Sequence, residues 1–339
     1  MKTFLGRKNI NLSLKTYFID ALGAMAFGLF ASLLVGTILN TIGGQFNIGF
    51  LTDVVWPVAQ KATGPAIAVS IAMALKAPDL VLFSSTLVGV GAYELGGPVG
   101  VYVATIFAVE FGKLVSKETK IDILLTPITT VLIGLLVSSL IGEPIQGFMN
   151  WVGNLIMIST NQQPLIMGAL VSTIVGVALT LPISSAAICM MLSLSGLAGG
   201  AATIGCCCQM VGFAVISFRD NGLEGLVSQG IGTSMLQMPN IIKNPKIWIP
   251  PTLSSFLLGP LSTVVFKMEN TPLGSGMGTS GLVGQISTFE AMQGAMGFSD
   301  LLLRIILLHT VLPAIVTFII YLIMRKQGHI KDGDMRLSR

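Results

Sequence analysis

Residues 181–218 read LPISSAAICMMLSLSGLAGGAATIGCCCQMVGFAVISF and close a tract, starting at Pro144, that contains no charged residue and no histidine. A helix that crosses the hydrocarbon core of a bilayer needs about 20 predominantly apolar residues. The tract is therefore long enough for about three membrane spans. Turn-forming residues at positions 161–164 and 195–200 predict where these spans are separated.

The rest of the chain has the same apolar character. Of 339 residues, 53% are hydrophobic and only 10% are charged, and the mean hydropathy is +0.83. Soluble domains carry about 25% charged residues, so this composition excludes an ordinary soluble enzyme. Further apolar tracts lie at 21–60, 80–115, 123–142, 247–266 and 301–324. The sequence predicts an all-α polytopic membrane protein with about ten transmembrane helices, some of them short or broken.

The basic residues indicate how the chain is oriented. They flank the first and last apolar tracts at Lys2, Arg7, Lys8, Lys15, Arg325, Lys326, Lys331, Arg336 and Arg339. The positive-inside rule then places both ends in the cytoplasm. We expect a cytoplasmic flank at 1–16, one membrane domain at 17–324 and a cytoplasmic tail at 325–339 that is too short to fold alone. No basic face remains for nucleic acid, so nucleic acid is not an expected partner.

A seven-residue pattern occurs twice, as GIGTSML at 230–236 and GMGTSGL at 276–282. It lies in segments 221–240 and 271–297, which are too polar to face lipid as plain spans. Non-helical backbone at membrane depth is tolerated only where it is buried in protein or lines a wet cavity. We therefore expect two re-entrant hairpins. Repeated broken helices are typical of a transport site, although close packing of small residues is the alternative reading.

The residues of these segments suit a neutral solute with many hydroxyl groups. Glycines let a ligand approach the main chain, and Ser and Thr hydroxyls both donate and accept. The candidate substrate contacts are Thr233, Ser234, Gln237, Asn240, Thr279, Ser280 and Gln285, with the carboxylates Glu224 and Glu290. Glu290 is the predicted main anchor, because a carboxylate at membrane depth is costly unless it faces water, substrate or a cation.

Glu94 is a third candidate carboxylate, in GAYELGGPVG at 91–100. The Gly-Gly-Pro run predicts a helix break beside it. Contact with substrate and capping of a helix end within the membrane are equally supported roles for Glu94.

Other reactive residue types carry less information. The four cysteines, all inside the charge-free tract, are most simply packing residues. His309 is either a buried, paired residue or part of a proton or substrate path, and Arg304 is expected to pair with Asp300. No nucleophile–base set, metal cluster or Walker-type loop is present, so we predict no catalytic residue, metal or cofactor in this chain.

Three runs carry a family resemblance: GTSMLQMPNIIKNPKIWIPP at 232–251, GMGTSGLVGQI at 276–286 and PIQGFMNWVGNLI at 144–156. They resemble the membrane-embedded IIC component of the bacterial phosphoenolpyruvate-dependent sugar phosphotransferase system. The chain is most similar to the stand-alone branch that includes regulator-type, PfoR-like members. The likeness covers about residues 14–324. It implies a homodimer in the bacterial inner membrane, ten transmembrane helices per subunit, two re-entrant hairpins and elevator-type alternating access.

The resemblance also implies partners and a ligand. The ligand would be a carbohydrate held at the hairpin positions named above, and separate cytoplasmic IIA and IIB proteins would phosphorylate it. Lys113, Lys117 and Lys120 form a candidate docking surface for those proteins, with a plain cytoplasmic flank as the alternative reading. Sugar-specific members carry a histidine beside the hairpin glutamate, but neither hairpin here contains one. Two other functions stay open: a membrane solute sensor that regulates gene expression, and an ion-coupled transporter independent of phosphotransfer.

Overall fold

The computed structural model describes residues 2–337, which form helices and connecting turns without a β-strand. The expectation of an all-α fold is confirmed. Arg339, counted above among the basic flanking residues, lies outside the described range. The chain folds as two compact units, residues 1–148 and residues 149–339.

The first unit is built around two long helices that pack closely. Its described helices are α1 (Lys2–Arg7), α2 (Leu22–Leu29), α3 (Val35–Phe46), α4 (Trp56–Ala74), α5 (Asp79–Val115) and the first part of α6 (Asp122–Thr160). Helix α4 contacts α5, with Gly64 against the backbone of Gly89. A Cβ at Gly64 would overlap the Gly89 carbonyl, so glycine permits this approach.

Helix α5 is broken at Gly97, which has φ 56° and ψ −151°. Pro98 follows it, and proline disfavours helical backbone at the preceding residue. Glycine is the residue type that adopts such a positive φ without strain. The break that the Gly-Gly-Pro run predicts is therefore confirmed. Glu94 lies just before this break, and its side chain is exposed.

Lys113 does not belong to an exposed docking surface, so that part of the prediction is wrong. Its side chain is only 1% exposed. The ammonium group lies 3.3 Å from the Glu110 carboxylate and donates to the Asn9 carbonyl at 3.1 Å. A buried charge must be paired, and Glu110 pairs with Lys113, while the hydrogen bond to Asn9 holds the N-terminal segment to the end of α5. Lys117 and Lys120 are exposed.

The second unit contains the remainder of α6 and the helices that carry the repeated motif. These helices are α7 (Pro164–Thr180), α8 (Ser185–Met191), α9 (Gly196–Ile216), α10 (Phe218–Val227), α11 (Met238–Lys243), α12 (Ile249–Pro260), α13 (Pro272–Ser275), α14 (Val283–Met292), α15 (Phe298–Ile306) and α16 (Leu312–Lys326). The π-helical turn Leu307–Val311 joins α15 to α16.

Helix α9 is the buried centre of the second unit. It contacts α7, α12 and α16, and Cys206, Cys207 and Cys208 on it are fully buried free thiols. A helix that is apolar on every face belongs inside a protein core. Small residues allow close contacts here, because a Cβ at Gly205 would overlap the Ser172 carbonyl of α7.

Within residues 2–337, five helices are long and apolar enough to cross a membrane. They are Thr16–Gly44, Asp79–Val115, Asp122–Thr160, Gly196–Ile216 and Phe298–Lys326, and the apolar helix Pro164–Thr180 is shorter. The polytopic membrane character is therefore confirmed. The count of about ten transmembrane helices stays a prediction, because some apolar tracts, such as the 12-residue α12, form helices too short to count.

Candidate functional site

The first copy of the repeated motif lies at a break between helices. A π-helical turn, Ser228–Gly232, ends at Thr233, whose backbone is extended with φ −158° and ψ 141°. The 3-10 turn Ser234–Gln237 then leads into α11. The Thr233 hydroxyl accepts a hydrogen bond from the Met235 amide at 3.1 Å and so caps the new turn.

The second copy is also non-helical, but by a different backbone path. Gly278 and Gly281 have φ of 54° and 53°, and Leu282 has φ of 60°. Left-handed backbone at a residue other than glycine is uncommon, and such residues cluster at ligand sites. Helix α14 begins immediately after Leu282. Both predicted interruptions are therefore present, whereas their re-entrant course through a bilayer stays a prediction.

The two copies contact each other and share helix α9. Cα atoms of Ser228–Gly232 lie within 8 Å of Cα atoms of Ser280–Leu282, and Ser228–Gly232 also contacts α9. A Cβ at Gly278 would lie 2.7 Å from the Cys206 Cβ, and one at Gly230 would lie 3.4 Å from the Ala214 Cβ. The two copies of the motif therefore lie close together in the second unit.

The hydroxyl of Ser234 joins a buried polar network. It lies 2.8 Å from the Thr180 hydroxyl, which donates to Gln209 Oε1 at 3.1 Å. Trp248 Nε1 donates to the same oxygen at 2.9 Å, and Gln209 Nε2 donates to Thr252 at 3.2 Å. The sequence analysis missed this network. Its available signal was Gln209, the single carboxamide of α9.

Gln237 and Asn240 donate to other protein groups. Gln237 Nε2 donates to Gln229 Oε1 at 2.8 Å and to the Met335 carbonyl at 2.9 Å. Asn240 Nδ2 donates to Gln237 Oε1 and to the Arg336 carbonyl, both at 2.9 Å. In this structure both amide groups therefore have their donors satisfied by protein atoms.

Two polar atoms of the predicted hairpin segment 271–297 lack such partners. The Ser280 hydroxyl belongs to a side chain that is 2% exposed, and it has no hydrogen-bond partner within the described residues. Gln285 Oε1 is buried and equally unpartnered there. Thr279 donates only to Met210 Sδ, at 3.5 Å. Unpartnered buried polar atoms are rare in native proteins and need an explanation.

The opposite end of the Gln285 amide contacts a histidine. Gln285 Nε2 lies 3.2 Å from His309 Nδ1 and 3.6 Å from Cys207 Sγ. His309 is buried and belongs to the turn that joins α15 to α16. Although neither hairpin segment contains a histidine, the fold brings one to the second motif. The sequence analysis left the role of His309 open.

The three candidate carboxylates are exposed, at Glu94, Glu224 and Glu290. Glu290 lies on α14 five residues after Gln285, so the two side chains point about 140° apart around the helix. The structure therefore does not place Glu290 beside the Gln285 amide. Its role as the main anchor stays a prediction. Arg304 pairs with Asp300 at 3.0 Å, as expected from the sequence.

A helical chain with five apolar membrane-length helices within its described residues, and two broken helices meeting on a buried helix, is a multi-pass membrane protein. The family described as "Phosphotransferase system, EIIC" matches residues 19–337, and this chain belongs to that family. The resemblance inferred from the sequence motifs is confirmed. No curated protein and no solved structure gives a significant match.

Proposed function

We propose that this protein is the carbohydrate-translocating membrane subunit of a sugar phosphotransferase system. The observation that carries the proposal is the meeting of the two motif copies on α9, with Ser280 Oγ and Gln285 Oε1 buried and unpartnered among the described residues. An unsatisfied buried polar group costs about 1–3 kcal/mol. A ligand hydroxyl would supply a partner to each of these atoms.

The chemistry of these atoms favours a neutral polyhydroxyl ligand. Ser280 can donate or accept, whereas Gln285 Oε1 only accepts, and a sugar hydroxyl can pair with either group. We assign the principal contacts to Thr279, Ser280 and Gln285. Thr233 and Ser234 complete the site from the first motif, which contacts the second. Gln237 and Asn240 are further contacts once their donors are free, and Glu290, Glu224 and Glu94 supply carboxylates from exposed positions.

Family membership supports the larger arrangement that we propose. Residues 17–324 act as one transport domain with ten transmembrane helices and two re-entrant hairpins, and both ends of the sequence face the cytoplasm of a bacterial cell. The protein works as a homodimer with elevator-type alternating access. Separate IIA and IIB proteins phosphorylate the carbohydrate, and the exposed Lys117 and Lys120 are candidate contacts for them.

A carbohydrate panel tests the proposal. A ligand that binds only the folded state raises the thermal midpoint of the purified protein by mass action. Ser280→Ala and Gln285→Ala should each weaken binding by about tenfold, the equivalent of 1.4 kcal/mol. Gln293→Ala is the matched control, because Gln293 is an exposed glutamine of the same segment. If no carbohydrate shifts the midpoint, the proposal is wrong.

Uptake by reconstituted vesicles separates the transporter from the two alternatives. Uptake that requires IIA, IIB and phosphoenolpyruvate supports the phosphotransferase assignment. Binding without uptake would indicate a sensor. Uptake driven by an ion gradient alone would indicate an ion-coupled transporter.

A further inference from the structure

Residues 329–337, HIKDGDMRL, form a segment that packs on the rest of the second unit, next to the first motif. We call it the docked segment. Its two most buried side chains are Ile330, 1% exposed, and Met335, 2% exposed. A segment this short cannot form a hydrophobic core of its own. Its side chains are therefore buried by contact with the rest of the second unit.

Three carboxamides contact the main chain of the docked segment. Asn221 Nδ2 donates to the Met335 carbonyl at 2.8 Å, and its Oδ1 accepts from the Leu337 amide at 2.8 Å. Gln237 also donates to the Met335 carbonyl, and Asn240 donates to that of the next residue. The Asn221 side chain thus pairs with both a main-chain carbonyl and a main-chain amide, as a neighbouring strand does in a β-sheet.

A carboxylate holds the turn within the same segment. Asp220 accepts from the Gly333 amide at 2.9 Å and from the Met335 amide at 3.1 Å. Hydrogen bonds to an ionised acceptor are stronger than neutral ones. Gly333 has φ 89°, a backbone conformation that favours glycine, so the sequence permits the turn at this position.

We propose that Asp220, Asn221, Gln237 and Asn240 form a peptide-binding site whose occupant is the docked segment of the same chain. Six hydrogen bonds join these four side chains to main-chain atoms of the docked segment, three donated by the side chains and three accepted by them. Main-chain pairing gives affinity that is insensitive to side-chain charge. The site also requires an apolar side chain at position 335, because Met335 is buried there.

Gln237 and Asn240 belong both to this peptide-binding site and to the proposed carbohydrate site. This part of the inference therefore rests on the proposed function. The docked segment takes donors of Gln237 and Asn240, the carboxamides that follow the first motif. A sugar can reach these donors only after the segment leaves. Displacement of the docked segment therefore sets whether the first motif contributes its amides to ligand binding.

Hydrogen exchange of the full chain in lipid nanodiscs tests the peptide site without any sugar. In the parent protein the amides of Gly333, Met335 and Leu337 should exchange at least tenfold more slowly than in the free peptide HIKDGDMRL. Met335→Asp should bring the Gly333 and Leu337 amides to the free-peptide rate, because a carboxylate cannot remain at a position 2% exposed. Lys331→Ala, which changes an exposed side chain, should leave them protected.

Free-peptide rates in the parent protein would overturn the proposal, and so would full protection in Met335→Asp. If no carbohydrate shifts the thermal midpoint, the proposed function is refuted, but the hydrogen-exchange result still supports the peptide-binding site. A second measurement uses a fluorescent HIKDGDMRL peptide added to the Met335→Asp protein. It should bind there at least tenfold more tightly than to the parent, whose site is occupied, and equal binding to both proteins contradicts the assignment.

Discussion

The side-chain amide of Gln285 donates to Nδ1 of His309 over 3.2 Å, although the two residues lie 24 positions apart and on different helical elements. A carboxamide nitrogen can only donate, so this contact is a hydrogen bond when Nδ1 carries no proton. The bond fixes which end of the Gln285 amide faces the histidine. It leaves Oε1 as the buried, unpartnered end, and we infer that His309 positions Gln285 for its ligand.

The loss of stability on replacement of His309 should therefore depend on whether the new side chain can accept a hydrogen bond. His309→Phe leaves Gln285 Nε2 with only the weak contact to Cys207 Sγ, and should lower the free energy of unfolding by about 1–3 kcal/mol. His309→Asn presents an oxygen near the former position of Nδ1 and should lower the free energy of unfolding less than His309→Phe does. Thermal unfolding measures both, with the exposed Thr310→Ala as control. Equal destabilisation by Phe and Asn would show that the hydrogen bond is unimportant.

Gly278 should tolerate no side chain. A Cβ there would lie 2.7 Å from the Cys206 Cβ and 2.8 Å from its carbonyl carbon, and the positive φ adds strain. We expect Gly278→Ala to destabilise the protein by about 1–3 kcal/mol. Gly297→Ala, in the same predicted hairpin, meets no atom within 4 Å and has an ordinary φ of −63°. It should change the unfolding midpoint little, and similar effects of both changes would refute the packing argument.

Glu290→Gln tests the anchor that the sequence predicts. Loss of charge-assisted hydrogen bonds, each worth about 1.5–3 kcal/mol, should weaken carbohydrate binding by about tenfold or more while folding survives. Because Glu290 points away from Gln285 in this structure, the effect requires the carboxylate to meet ligand in another state of the transport cycle. Isothermal titration with the best ligand of the panel measures it. Unchanged affinity would leave Ser280 and Gln285 as the principal contacts.

The ion pair between Lys8 and Glu118 should make the stability of the fold depend on pH in a defined direction. The hydrogen bond from Lys8 lowers the pKa of Glu118 below its ordinary value, with further lowering from the charges of Lys8 and Arg7. The pair therefore stabilises the fold above the ordinary glutamate pKa and is lost as pH falls through the lowered value. A carboxyl NMR titration should show the lowered pKa, and Lys8→Met should return it toward normal. A parent pKa at the ordinary value would contradict the contact.

Features set by local backbone chemistry could be predicted from the sequence. The break at Gly97 follows from glycine and proline acting on adjacent residues. The glycine-rich GxGTSxL motifs also indicate their own interruptions, although the first breaks at extended Thr233 and the second at residues with positive φ. The apolar helices follow from length and composition. The pairing of Arg304 with Asp300 needs only the spacing of one helical turn.

Features that join distant parts of the chain could not be predicted in this way. No periodicity indicates that His309 meets Gln285, because that contact depends on how α14 and the α15–α16 turn pack on α9. The segment 325–339 was expected to be a polar tail unable to fold alone, and residues 329–337 instead fold by docking. Lys113 was expected at the surface together with Lys117 and Lys120, but it is buried and donates to the Asn9 carbonyl, a contact between distant parts of the sequence.

The burial of Cys189, Cys206, Cys207 and Cys208 gives the native protein a practical property. Water-soluble maleimides cannot reach a thiol that is enclosed in the protein core, so the parent chain should remain unlabelled in intact cells. A single cysteine introduced at an exposed position, such as Gln327, then reports its own side of the bilayer without removal of the native four. Orientation can thus be measured in a protein whose core is unaltered.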